Sequence, residues 1–147
     1  MSFRSIIVVV FLFGTFFVTC MAQTLSTGED VKLYVTQLIE ENEVMVFAKS
    51  YCPYCKATKS LFSHVQESIP VQVKILDLDQ LPEEKDGREI QSELWERTGQ
   101  RTVPNIFIGQ NHMGGNSDVQ AMEAHGTLRP LLEETVSYRT NDIREAL

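Results

Sequence analysis

The chain has 147 residues, 43% hydrophobic and 22% charged, which suits one domain with a buried core. A formal net charge of −7, with no Lys/Arg cluster, argues against a nucleic-acid partner. No repeat or low-complexity tract is present.

The leader comes first. Arg4 gives a short positive start, Ile6 to Val18 is an apolar run broken only by Gly14 and Thr15, and Cys20-Met21-Ala22 follows. That is the pattern of a signal peptide cleaved after Ala22. The run is also nearly long enough for an uncleaved membrane anchor. Residues 1–22 are therefore expected to be a signal peptide or anchor, and 23–28 a polar linker.

A domain is expected over 29–137. Glu29 to Asn42 carries Val31, Tyr34, Val35, Leu38 and Ile39 at helical spacing, with Glu29 and Asp30 suiting the positive helix end. Glu43 to Ala48 reads as a buried strand and Pro53 to Glu67 as a helix. Pro70 to Asp77 alternates as a strand. A charged loop, 81–87, precedes a helix from Arg88 to Thr98 stopped by Gly99. Asn105 to Ile108 is a strand, turned at 109–111 into a return strand from His112 that ends at Gly114-Gly115. Ser117 to Ala124 and Thr127 to Val136 read as helices, and 138–147 as a polar tail. The first two strands, joined through a helix, should be parallel, and the last two antiparallel. The fold class is α/β, a mixed four-stranded sheet flanked by helices.

Cys52-Pro53-Tyr54-Cys55 holds two of the three cysteines. It lies between a strand and a helix, the setting of a redox motif. Pro53 suits the first helical position, so Cys52 falls at the N-cap, where orphan N–H groups and the dipole favour a thiolate. Cys55 lies one turn on, close enough to form a reversible disulfide. A zinc site is the competing reading. It would need two more ligands from Cys20, His64, His112 and His125, which are scattered. The histidines read as structural or surface residues, and no metal is expected. Leu94 and Trp95 read as core or partly core.

Three segments in this order carry a resemblance: Phe47 to Cys55, Arg101-Thr102-Val103-Pro104, and Gly114-Gly115-Asn116-Ser117-Asp118. Together they resemble a dithiol glutaredoxin of the Cys-Pro-Tyr-Cys class, over about residues 30–137. The resemblance implies a thioredoxin fold and a glutathione-dependent thiol–disulfide oxidoreductase acting on glutathionylated or disulfide-containing proteins. It makes Cys52 the nucleophile, Cys55 the resolving thiol and Pro104 a cis-proline facing the site. It places glutathione on Lys49, Tyr54, Gln91, Thr102, Val103, Pro104, Ser117 and Asp118. Lys49 and Gln91 match positions for the glycine carboxylate, Ser117 and Asp118 those for the γ-glutamyl end.

Glutathione is expected as co-substrate, with no tightly bound cofactor, in a monomer. Two other functions share these cysteines. One is a dimer bridging a [2Fe–2S] cluster through glutathione, which Pro53 disfavours in this family. The other is a lumenal disulfide isomerase or redox sensor. The leader implies the secretory pathway lumen or secretion, or attachment to a membrane. Glutaredoxin potentials of about −200 to −230 mV against about −180 to −210 mV in the endoplasmic reticulum leave the direction of exchange to the local glutathione ratio.

Overall fold

Four strands pair in the order β2-β1-β3-β4 in the computed structural model, which describes residues 27–82 and 85–145. The elements are α1 (Thr27–Glu41), β1 (Val44–Ala48), α2 (Pro53–Gln66), β2 (Val73–Asp77), α3 (Gly87–Thr98), β3 (Asn105–Ile108), β4 (Asn111–Gly114), α4 (Asn116–Ala124) and α5 (Leu128–Glu145). The described residues from Val31 onward form one compact unit. The expected signal peptide or anchor lies outside the described residues. Among the described residues no helix is long and apolar enough to cross a membrane.

β1 is the central strand, buried at all five positions, so its sequence is continuously apolar rather than alternating. Its side chains divide by the two-residue period. Val44, Val46 and Ala48 pack with Ile106 and Ile108 against Phe62 and Val65 of α2, Val119 of α4, and Leu128 and Leu132 of α5. Met45 and Phe47 pack with Phe107 against Val35, Leu38 and Ile39 of α1 and Ile90 and Leu94 of α3. Phe47 and Phe107 meet edge to face, 6.0 Å between ring centroids. The mixed sheet therefore has helices on both faces.

The pairing decides where the site can form. β1 runs parallel to β2, as the helical crossover requires, and antiparallel to β3, with Phe47 opposite Asn105. The exit of β1 thus lies beside the entry to β3. β4 returns antiparallel to β3, with Gly114 opposite Ile106. That brings the start of α4 to the same end of the sheet. The cysteine motif, the 101–104 loop and the 114–118 segment, far apart in sequence, meet there.

The boundaries differ from the sequence reading in a few places. α1 begins at Thr27, inside the expected linker. β2 begins at Val73, not Pro70: the register with β1 starts at the Val44–Val73 pair, and the Val71 N–H donates back to the Ile69 carbonyl instead of to a neighbouring strand. The largest difference is the tail: α5 continues to Glu145 instead of ending at Val136. No Gly or Pro stops it after Pro130, which sits in the tolerated first turn. Arg139 also donates to the carbonyls of Glu40 and Glu41, the last turn of α1, and fastens the helix there.

Candidate active site

Helix α2 positions both cysteines. Pro53 occupies its first turn and Cys52 is the N-cap, in extended backbone conformation, with Sγ accepting from the Cys55 N–H at 3.4 Å. A sulfur here replaces the usual N-cap oxygen. Cys55, Thr58, Phe62 and Val65 form the buried stripe of the helix, so Cys55 is wholly buried while Cys52 is half-exposed. The Lys49 N–H donates to Cys55 Sγ at 3.4 Å, and the Cys52 thiol donates to the Val103 carbonyl at 3.8 Å.

The two thiols are pushed in opposite directions. Partial burial raises the Cys52 pKa, but the hydrogen bond from the Cys55 thiol, the N–H groups of Cys55 and Tyr54, and the Lys49 charge together outweigh it. The net shift is downward from the ordinary thiol value. Burial dominates at Cys55 and raises it to about 11, against the Lys49 N–H, while Cys52 adds through its hydrogen bond and charge. One sulfur is poised as a thiolate and the other is held as a thiol.

The loop that delivers Cys52 is fixed by Asp79, just beyond β2. Its Oδ1 accepts from the Ser50 N–H at 2.8 Å and its Oδ2 from the Ser50 hydroxyl. These bonds hold the Asp79 carboxyl down at about 2. Nothing local in the sequence marks this pair, since 29 residues separate its members.

Beside Cys52, a cleft of about 440 Å³ is lined by Tyr54, the Thr102-Val103-Pro104 segment, and Ser117 and Asp118 at the first turn of α4. Six expected ligand residues therefore share one cavity. The Val103–Pro104 peptide bond is cis, in line with the sequence expectation. Asp118 caps its own helix, with Oδ2 accepting from the Gly115 N–H at 2.7 Å. Gly114 makes room for this carboxylate: at φ +99°, a Cβ there would stand 2.4 Å from Asp118 Oδ2. Lys49 adjoins the site through its N–H to Cys55. Gln91 stands outside the cleft and donates to the Arg101 carbonyl at 2.7 Å, which makes it a brace of the loop in this state.

Leu94 is buried as expected, but Trp95 is 41% exposed, with the Arg101 guanidinium stacked 3.6 Å above its ring. Gln100, which no motif in the sequence singles out as a site residue, lines the cleft and bonds to two loop carbonyls. Its place between the helix-ending Gly99 and the 101–104 segment was the only available signal. His64 pairs with Glu67 on the surface, and His112 packs on Phe107. Among the described residues no group of three or more His, Cys, Asp or Glu is placed to hold a metal ion. A larger cavity, about 630 Å³, lies at the other end of the sheet by Glu43, Gly109 and Arg139, away from Cys52 and Cys55.

Comparison with known proteins agrees with this geometry. The glutaredoxin family model matches residues 44–113. A glutaredoxin from Ricinus communis is 46% identical over 98 residues, spanning 67% of this chain and 89% of its own length. Glutaredoxin-1 from Saccharomyces cerevisiae is 48% identical over 101 residues, 68% of this chain and 88% of its own. Among solved structures, a buckwheat glutaredoxin–glutathione complex matches with a TM-score of 0.68 at 37% identity, covering 77% of this chain and 96% of the neighbour. A paired-thiol site at a helix N-terminus, on a fold and sequence shared with these proteins, makes the chain a member of the glutaredoxin family and an oxidoreductase.

Proposed function

We propose that the chain is a glutathione-dependent oxidoreductase that reduces protein–glutathione mixed disulfides and protein disulfides, with Cys52 as nucleophile and Cys55 as resolving thiol. The observation that carries this reading is the split between the thiols: Cys52 is accessible and shifted toward thiolate, Cys55 buried and held protonated. In the first step the Cys52 thiolate attacks the glutathione sulfur of a mixed disulfide. A Cys52–glutathione bond forms, and the protein leaves as a thiolate that takes a proton. A second glutathione thiolate attacks the bound glutathione sulfur, giving oxidised glutathione and restoring Cys52. Each step exchanges one S–S bond for another, and glutathione, oxidised to its disulfide, supplies the electrons, so no further carrier is needed. For a protein disulfide, Cys52 first forms a mixed disulfide with the substrate. Cys55, once deprotonated, attacks the Cys52 sulfur and releases the reduced protein, leaving Cys52–Cys55 for two glutathiones to reduce.

The cleft suits a short extended peptide with charged ends. The Val103 backbone offers strand-like pairing to its middle. The free N–H groups at the start of α4 suit a carboxylate. Asp118 Oδ2 holds the Gly115 N–H, so Oδ1 is the oxygen left to accept from an ammonium. The bound glutathione of the buckwheat neighbour supports the same ligand here. Lys49 supplies charge for the glycine end, and Gln91 contributes from behind through the Arg101 carbonyl. The enzyme acts in the secretory pathway, on the strength of the leader pattern over residues 1–22. Partition of the full-length protein between membrane and soluble fractions separates a cleaved signal from an anchor.

The test is adduct trapping. Cys55→Ser incubated with oxidised glutathione should gain one glutathione, located at Cys52 by peptide mass. An adduct at another residue, or none, contradicts the assignment.

A further inference from the structure

We propose that Gln100 is a positioning residue of the active site, whose side-chain amide clamps the carbonyls of Thr102 and Pro104 and so fixes how the Val103 backbone faces the cleft. The proposal rests on the reading of the cleft as the glutathione site. A primary amide nitrogen has two hydrogens to donate. Gln100 Nε2 spends them on the Thr102 carbonyl at 3.1 Å and the Pro104 carbonyl at 2.8 Å. These carbonyls flank Val103, the residue whose own carbonyl faces Cys52 Sγ at 3.8 Å.

Peptide planarity carries the argument one step further. In a trans peptide the N–H points opposite to the C=O. With the Thr102 carbonyl turned toward Gln100, the Val103 N–H is turned away from it. The clamp therefore leaves both Val103 backbone groups clear of Gln100, one of them at the nucleophile.

The clamp is itself anchored. The Gln100 N–H donates to Thr98 Oγ1 at 3.1 Å. That hydroxyl also accepts from Asn105 Nδ2 at 3.2 Å and donates to the Leu94 carbonyl at 2.7 Å. The backbone that carries the side chain is thus tied to the last turn of α3 and, through Thr98, to the entry of β3. On its other flank stands Gly115, where a Cβ would lie 3.5 Å from Gln100 Nε2 and 3.4 Å from the Pro104 carbonyl. The amide fills the space between the loop and the start of α4, which together form the cleft walls.

The test uses the full chain with Gln100→Leu, which keeps bulk without donors, and Gln100→Glu, which sets a carboxylate oxygen against the two carbonyls. Both should raise the KM for a glutathionylated peptide about tenfold, the scale of one to two lost hydrogen bonds. In Gln100→Leu, which changes no charge, the kcat should stay within about twofold and the pH midpoint of Cys52 alkylation should not move. An unchanged KM in both variants, or a fall in active thiol content with KM constant, overturns the proposal, the second because it marks a folding role alone. The ¹³C shifts of the Thr102 and Pro104 carbonyls in the ligand-free chain read the clamp without any substrate. They should move in Gln100→Leu while carbonyls elsewhere in the sheet do not; unmoved shifts overturn the proposal. A wild-type chain inactive on the peptide overturns the glutathione reading instead, and the carbonyl shifts then decide the clamp alone.

Discussion

Alkylation of the two thiols as a function of pH tests the division of labour between them. A thiol of pKa about 11, the value at Cys55, is ionised in about one molecule in ten thousand at pH 7. Iodoacetamide at neutral pH should therefore label Cys52 and leave Cys55 untouched, with the Cys52 midpoint below that of an ordinary thiol. The informative perturbation is Cys52→Ser. Burial, the largest influence on Cys55, remains, while the charge and sulfur hydrogen bond of Cys52 are gone. The Cys55 midpoint should fall, yet stay above the ordinary value. In the proposed mechanism the same release would operate when the Cys52 sulfur is tied up in a mixed disulfide, which carries no charge, and Cys55 would become easier to ionise at the step that needs its thiolate. Stability should follow with a definite sign. The fold favours protonated Cys55, so this contribution is full below the unfolded pKa and is lost as pH rises through about 11. Mass-spectrometric labelling rates across the pH range provide the assay. Equal labelling of both thiols at pH 7, or a Cys55 midpoint unmoved in Cys52→Ser, would refute the reasoning.

Three further perturbations bear on the scaffold. Asp79→Ala should free the Ser50 N–H and hydroxyl and lower the Tm. It should also remove the share of stability that wild type holds above about pH 4 and loses as pH falls toward about 2, since the Asp79 pKa is depressed; parallel acid profiles for the two proteins would contradict this. Gly114→Ala forces a Cβ onto Asp118 at positive φ and costs the Gly115 cap, about 2–3 kcal/mol together. A Tm fall of about 8–12 °C in calorimetry is expected. Arg139→Ala unfastens α5 from the Glu40 and Glu41 carbonyls and should cost about 1 kcal/mol, with faster amide exchange over residues 137–145. Unchanged exchange there would show that the helix end needs no such tie.

What was legible in the sequence was local. Pro53 after Cys52 and the three-residue step to Cys55 determine the N-cap and the buried second thiol without reference to the rest of the chain. The apolar run 44–48, the Gly99 stop and the hairpin at Gly109-Gln110 are likewise short-range signals. The antiparallel pairing of β1 with β3, on which the meeting of the loops depends, has no local signature. Nor do Ser50 with Asp79 or Gln100 with the loop carbonyls, whose polar side chains look like surface residues until the fold brings their partners near. The aromatic character of Trp95 suggests core or partly core, and it says nothing about Arg101, which stacks on its exposed face. The polar end of α5 carries too little apolar periodicity to announce a helix, and its partner carbonyls lie 98 and 99 residues away.

The central claim is that Cys52 carries the chemistry with glutathione and Cys55 only resolves. Turnover by wild type, Cys52→Ser and Cys55→Ser, on a glutathionylated peptide and on a protein disulfide, with glutathione as reductant, tests it most directly. The account predicts that Cys52→Ser loses both activities, while Cys55→Ser keeps deglutathionylation and loses disulfide reduction. Retained activity in Cys52→Ser, or loss of deglutathionylation in a folded Cys55→Ser, would contradict it.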